Sequence, residues 1–139
     1  MAFDDEDLEL AFQLHVIEEL LDSDFGTTAL ENQLVERWFP LEIRRSRGMV
    51  DDTGPTARYR EAVEAAHARL PTRLDHARKL ELLGCCYRIA VADREFRLGE
   101  GAVLLAAARA LGLGDDDFDA FLHGRPGATG MTAAALSRF

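Results

Sequence analysis

Apolar residues recur at helical spacing along almost the whole chain, and this periodicity constrains the fold more than any other feature. Leu10, Leu14, Ile17 and Leu21 form one such stripe near the start of the sequence. No stretch alternates cleanly between apolar and polar residues with the period of two that is typical of a half-buried strand. The pattern therefore predicts an all-α fold.

Glycine, proline and acidic turns divide this pattern into six main helices. We predict helices at about residues 4–21, 28–39, 55–70, 74–92, 98–111 and 115–122. Pro55 suits the first position of the third helix, and Pro71 is expected to end it, because proline lacks the backbone N–H that a helix interior needs. Residues 40–54 are expected to form a polar connector, either irregular or with a short turn of helix.

The length of 139 residues suits one domain, and we expect residues 1–139 to form a single compact bundle of six to seven helices. The tail at residues 131–139 is the seventh helix in this count, either docked or frayed. An Ala-rich face on the fifth main helix, with Ala102 and Ala106, would allow close approach of a neighbouring helix. A dimer through that face is one arrangement that the sequence leaves open.

The charge is strongly uneven. The chain has 25 Asp and Glu against 16 Lys and Arg, a net charge of −9. Residues 1–36 contribute −11, residues 37–88 contribute +4 and residues 89–139 contribute −2, so that −11 + 4 − 2 = −9. This balance argues against nucleic-acid binding, which depends on basic surface. It makes the acidic first segment a natural place for a cation or a basic partner to bind.

A short basic cluster, Arg44-Arg45-Ser46-Arg47, stands apart from this acidity. It lacks the aromatic residues that stack on bases, so a solvated loop is favoured over a binding patch. The acidic N-terminus differs from a secretory signal, whose first residues are basic. No apolar run is long enough to cross a bilayer. We therefore expect a cytoplasmic protein with no membrane insertion.

A helix–acidic loop–helix unit occurs twice. Asp22-Ser23-Asp24-Phe25 is followed by Glu31, and Asp93-Arg94-Glu95-Phe96 is followed by Glu100. The two aspartates are 93 − 22 = 71 positions apart, about half of the chain. The spacing from Phe to Glu is six residues in the first copy and four in the second. Two pseudo-repeated halves, with a two-residue insertion in the first loop, are the predicted architecture.

The second copy resembles the TerB family of tellurite-resistance proteins. Residues 89–96, then Glu100, then a helix of small residues, are similar to the family's Ala-Asp-Gly-Glu-hydrophobic motif with a Glu four residues later. The resemblance extends over residues 8–122 and is sharpest at 83–122. Arg94 replaces the family's motif glycine, as Ser23 does in the first copy, and that glycine favours a tight turn with positive φ.

This resemblance implies an all-helical bundle with two similar halves and a role in tellurite resistance or a related stress response. It also implies protein partners, including complexes at the inner face of the membrane. Function as a non-enzymatic module that docks partners through acidic surface is the first hypothesis. A structural or scaffolding helical domain, with acidic residues that only cap helices, is the alternative.

The acidic loops suggest a weak site for a divalent cation such as Ca²⁺ or Mg²⁺, because these ions prefer several carboxylate oxygens. The candidate ligands are Asp93, Glu95 and Glu100, with Asp22, Asp24 and Glu31 as their counterparts. The family's association with an acidic, metal-binding surface supports the same residues. A second interpretation also stays open: each Glu caps the N-terminus of its helix, and each Asp binds backbone N–H groups of its loop.

Other chemistry has little support. The four histidines show no metal-binding spacing, and His15 is predicted to be a half-buried residue with its hydrogen bonds satisfied. Cys85 and Cys86 are adjacent, which suits buried, reduced thiols better than a metal pair. No serine has the context of a nucleophile elbow, and no glycine loop suits a phosphate. The sequence therefore predicts neither catalytic residues nor an organic cofactor.

Overall fold

The computed structural model describes residues 3–22, 29–92 and 96–138, with the side chains of residues 22 and 29–32 left outside this description. Within these residues the chain forms eight helices and one two-stranded hairpin. The elements are α1 (Asp5–Asp22), α2 (Ala29–Trp38), α3 (Leu41–Ser46), β1 (Val50–Asp51), β2 (Gly54–Pro55), α4 (Ala57–Arg73), α5 (His76–Ala90), α6 (Leu98–Ala110), α7 (Asp115–Leu122) and α8 (Ala133–Leu136). The predicted all-α class is confirmed.

Helix α1 lies at the centre of the fold and packs against α4, α5 and α6. One of its faces carries Leu8, Phe12, Val16 and Leu20 into a core shared with α5, α6, α7 and α8. A second face carries the predicted stripe into a smaller core with Met49, α2, α4 and Ile89 of α5. Because α1 is apolar on two faces, the stripe expected from the sequence is only part of its buried surface.

The connector at residues 40–54 is more regular than the sequence suggests. It contains α3 and an antiparallel hairpin in which Val50 pairs with Pro55 and Asp51 with Gly54. Asp51 closes the turn, since its Oδ1 accepts hydrogen bonds from the Thr53 N–H at 2.8 Å and from the Thr53 hydroxyl at 2.6 Å. Strands of two residues are too short to show an alternating pattern.

Two predicted proline roles are wrong. Pro55 lies in β2, and Thr56 is the N-cap of α4, where its hydroxyl accepts a hydrogen bond from the Tyr59 N–H at 3.1 Å. Pro71 lies inside α4, which continues to Arg73. The Pro71 carbonyl accepts a hydrogen bond from Lys79 Nζ at 2.8 Å, which joins the end of α4 to α5.

The predicted C-terminal helix is present as α8, and it is docked. Ala133 and Leu136 are buried, and α8 packs against α6 and α7. Gly101 permits this approach, because a Cβ atom at that position would lie 3.0 Å from Leu136 Cδ2 and 3.1 Å from Met131 Sδ. Gly101 is therefore the small residue at which α8 approaches α6 closely.

Candidate functional site

The six predicted acidic ligands lie in the α1–α2 and α5–α6 connections or at the helix ends beside them. Asp24, Asp93 and Glu95 lie outside the described residues, and so do the side chains of Asp22 and Glu31. The backbone places Asp22 as the last residue of α1 and Glu31 in the first turn of α2. The proposed convergence of either set around a cation stays a prediction.

Glu100 is the one predicted ligand whose side chain is described. It is 1% exposed and lies in the first turn of α6. Its Oε1 accepts a hydrogen bond from the Arg97 N–H at 3.0 Å, which is the contact that a glutamate at this helical position makes in a capping box. This contact is the capping role expected for Glu100 under the second interpretation of the acidic loops.

Within the described part of the chain, no three His, Cys, Asp or Glu side chains are grouped closely enough to hold a metal ion. His15 is half-buried, as predicted, and its Nε2 lies 2.7 Å from Glu19 Oε1. Its ring also meets the ring of His67 edge to face, with the centroids 5.7 Å apart. That contact could not be read from two histidines 52 positions apart in the sequence.

A partly buried electrostatic cluster surrounds Asp7, which is 5% exposed at the start of α1. Arg47 Nη1 lies 3.1 Å from Asp7 Oδ1, and Arg58 Nη2 lies 3.2 Å from Asp7 Oδ2. Arg47 also pairs with Asp4 and Glu6. The guanidinium of Arg58 stacks on the Phe3 ring, 4.6 Å from its centroid. We name Asp4, Asp7, Arg47 and Arg58 the N-terminal ion cluster.

This cluster also caps α1. The Asp7 N–H donates a hydrogen bond to Asp4 Oδ1 at 2.7 Å, and the Asp4 N–H donates to Asp7 Oδ2 at 3.3 Å. Carboxylates at this end of a helix are favoured by the helix dipole. The hydrogen bond from the Asp7 N–H, more than the nearby Arg47, lowers the pKa of Asp4 below its ordinary value.

Two further ion pairs join α1 to the basic middle of the chain. Arg73 Nη1 lies 2.6 Å from Asp5 Oδ1, and Arg78 Nε lies 2.5 Å from Glu9 Oε1. The acidic first segment and the basic second segment are therefore complementary surfaces of one fold. Arg47, expected from the sequence to lie in a solvated loop, instead pairs with Glu6 and Asp7 of α1.

The lowered pKa of Asp4 predicts acid sensitivity. Its carboxylate stabilises the fold above the pKa that it has in the unfolded chain, about 3.9, and this contribution is lost as the pH falls towards its lower folded-state value. We expect the free energy of unfolding to fall below about pH 4, and we expect Asp4→Asn to reduce that fall. Urea unfolding at pH 7 and pH 3 measures both. Equal acid losses in the two proteins would contradict the prediction.

The acidic run at the start of α7 is also engaged within the fold. Asp117 Oδ2 accepts a hydrogen bond from the Gly114 N–H at 3.1 Å. Asp115 pairs with Arg109 at 3.1 Å, and this hydrogen-bonded pair lowers the pKa of Asp115. Asp119 Oδ1 accepts from the Ala133 N–H at 2.7 Å and so binds the first turn of α8. Asp117 and Asp119 therefore satisfy backbone N–H groups at the starts of α7 and α8, and Asp115 forms an ion pair.

Comparison with known proteins gives one match. A sequence model of the family described as tellurite resistance protein TerB matches residues 15–123, which is 109 of the 139 residues. No curated protein and no solved structure matches the chain. No helix in the described residues is long and apolar enough to cross a membrane. With its helical fold and a match over most of its length, the chain belongs to the TerB family of tellurite resistance proteins.

Proposed function

We propose that this chain is a non-enzymatic TerB-type module that acts in tellurite resistance or a related stress response, as one domain in the cytoplasm. The observation that carries the proposal is the family match over residues 15–123. The module docks protein partners through acidic surface, including partners in a complex at the inner face of the membrane.

We place the docking surface at the two acidic loops rather than on α1. Asp4, Asp5, Asp7 and Glu9 lie against arginines of the same chain, so their charge is largely matched within the fold. The first loop contains Asp24 and follows Asp22 at the end of α1, and the second loop contains Asp93 and Glu95. A divalent cation such as Ca²⁺ or Mg²⁺ binds weakly to these carboxylates.

The alternative is a scaffolding helical domain that binds no ion. The observation that favours it is the hydrogen bond between Glu100 and the Arg97 N–H, which gives one buried carboxylate a structural role. Under this alternative the loop aspartates bind backbone N–H groups. An ion titration separates the two functions, because a ligand that binds only the native state must raise its melting temperature.

We expect millimolar Ca²⁺ or Mg²⁺ to raise the melting temperature of the chelator-treated protein in a concentration-dependent way. The double variant Asp93→Asn, Glu95→Gln should lose this response, because it removes two loop carboxylates and retains the Glu100 cap. Asp115→Asn, Asp116→Asn is the matched control, since it removes the same charge from α7. Calorimetric titration of all three proteins measures the affinity directly.

The same variants test the wider proposal in the organism that encodes the chain. If the module acts in tellurite resistance through the acidic loops, a deletion strain should regain growth on potassium tellurite with the wild type and the α7 control. The loop variant should restore less growth. Full restoration by the loop variant, together with no ion-dependent melting shift, would favour the scaffold. Unchanged growth of the deletion strain would overturn the link to tellurite.

A further inference from the structure

A cleft of about 510 Å³ lies on the surface between α1, α5 and Arg125, which follows α7. Its size lies within the range of small-molecule sites in proteins, about 300–1,000 Å³. The charged side chains that line it are three arginines and one glutamate: Arg78, Arg88, Arg125 and Glu81. The cleft is therefore a local positive surface on a chain whose net charge is −9.

The charge of Arg78 is matched within the fold, whereas the charges of the other two arginines are not. Arg78 pairs with Glu9 at 2.5 Å and with Glu81 at 2.8 Å. Among the residues that the structure describes, no carboxylate forms an ion pair with Arg88 or Arg125. Even with Glu9 counted, three guanidinium groups face two carboxylates, so an anion would meet a net positive charge in this cleft.

The guanidinium of Arg125 is held in one orientation by contacts that do not neutralise it. Its Nε donates a hydrogen bond to the Phe121 carbonyl at 2.6 Å. The group also lies over two aromatic rings, 4.0 Å from the centroid of Phe121 and 5.3 Å from that of Tyr87. Its Nη groups remain as donors. A cation that is already oriented loses little conformational freedom when it binds an anion.

Gln13 brings a buried polar group to the same cleft from α1. The residue is 9% exposed, and within the described part of the chain its side-chain amide makes no hydrogen bond. A buried amide without a partner destabilises the fold, because it has lost its hydrogen bonds to water. An oxygen-rich ligand in the cleft would accept the hydrogen bond that this amide can donate.

Gly84 keeps the wall of the cleft open in the middle of α5. Glycine is less favourable than alanine inside a helix, since it loses more backbone freedom on folding. Packing does not require it here, because a Cβ atom at this position would lie 3.9 Å from Phe121 Cε2, an ordinary van der Waals distance. The missing side chain therefore leaves room at the cleft rather than relieving a clash.

We propose that this cleft binds a small organic phosphate monoester, with the phosphate oxygens on Arg88, Arg125 and the Gln13 amide and the organic body against Leu80. A phosphate dianion presents several acceptor oxygens, and all three polar side chains can donate to them. Hydrogen bonds between guanidinium and phosphate are among the stronger ones in proteins, because both groups are charged. The inference goes beyond the proposed function and does not depend on it.

Three probes separate the charge from the organic body: phenyl phosphate, phenyl sulfate and inorganic phosphate. In calorimetric titrations at low salt and pH 7.5, we expect phenyl phosphate to bind about tenfold more tightly than phenyl sulfate, which has one negative charge fewer, by the usual strength of a charge-assisted hydrogen bond. Inorganic phosphate lacks the apolar ring and should bind at least about threefold more weakly than phenyl phosphate.

Cys85 provides a local reporter of occupancy, because it lines the cleft and is half-buried, whereas Cys86 is buried. Burial raises the pKa of the Cys85 thiol, and the charges of Arg88 and Arg78 oppose this shift. Alkylation with iodoacetamide is therefore measured at pH 9, where more of the thiol is ionised. We expect saturating phenyl phosphate to slow the alkylation of Cys85 at least about threefold, and the amide signals of Gln13 and Gly84 to shift.

Arg88→Gln and Arg125→Gln should each weaken the binding of phenyl phosphate about tenfold, because each removes one charge-assisted contact. Arg88 is exposed, so its variant tests the site even if loss of the Arg125 stacking disturbs the fold. Arg69→Gln is the matched control. It removes the same charge from an exposed position of α4 that does not line the cleft, and it should bind phenyl phosphate within about twofold of the wild type.

Gly84→Leu should abolish binding, because its side chain would occupy the cleft. If this variant does not fold, as judged by circular dichroism, wild-type protein alkylated at Cys85 with N-ethylmaleimide blocks the same space. The proposal is overturned if phenyl phosphate does not bind saturably, or if it binds no more tightly than phenyl sulfate or inorganic phosphate. Equal losses in Arg69→Gln and Arg88→Gln, or an unchanged rate of Cys85 alkylation with phenyl phosphate, would also overturn it.

Discussion

Replacing Phe12 with alanine should lower the free energy of unfolding by about 3–5 kcal/mol, the usual cost of removing a buried phenylalanine side chain. Phe12 is 1% exposed and lies in the middle of α1. Its ring contacts the larger core and also lies 5.6 Å from the ring of His67 on α4. The cavity would therefore open where α1 meets both α4 and the larger core, and relaxation of one helix could not fill it.

Urea unfolding followed by circular dichroism measures this loss, with Leu41→Ala as the control. Leu41 is a large apolar residue that is 42% exposed on α3, and its truncation should change the free energy of unfolding by less than about 0.5 kcal/mol. A loss below about 1 kcal/mol for Phe12→Ala would mean that α1 does not form the centre of the fold.

Replacing Asp7 with asparagine should cost about 2–3 kcal/mol. Removing one partner of a buried ion pair costs about 3–5 kcal/mol, because the other charge is left buried without compensation. The cost is discounted here because the side chains of Arg47 and Arg58 are 30% and 24% exposed and retain some contact with water. The variant keeps the size of the side chain, so the loss reports charge rather than packing.

Asp5→Asn is a matched control for this prediction. Asp5 belongs to the same turn of α1 and also pairs with an arginine, but the side chains of Asp5 and Arg73 are 61% and 47% exposed. Exposed ion pairs contribute about 0–1 kcal/mol, so we expect a loss below about 0.5 kcal/mol. Equal losses for the two variants would contradict the special role of the N-terminal ion cluster.

A double-mutant cycle isolates the contact between Asp7 and Arg58. Arg58→Gln should cost less in the Asp7→Asn background than in the wild type, by about 0.5–3 kcal/mol, because residues that share one ion network are not additive. Thermal unfolding of the four proteins measures these losses. Additive losses would show that Asp7 pairs productively with Arg47 and not with Arg58.

The helical class and most helix positions follow from apolar periodicity and local capping. The contact of Glu100 with the Arg97 N–H is of this local kind, since both residues belong to the same helix start. The continuation of α4 through Pro71 did not follow from the sequence, because proline disfavours a helix interior. Packing at the end of α4, including the hydrogen bond from Lys79, offsets that preference.

The sequence by itself determined that the chain is helical, that its acid and base are segregated, and that the family motif lies at residues 89–100. Only the tertiary structure decided which of the segregated acidic and basic side chains pair with each other. Ion pairs such as Asp7 with Arg58 join residues 51 positions apart, and no local rule of spacing predicts which distant side chains meet. The docking of α8 on α6 likewise depends on side-chain shape in three dimensions, because a Cβ atom at Gly101 would lie 3.0 Å from Leu136 Cδ2.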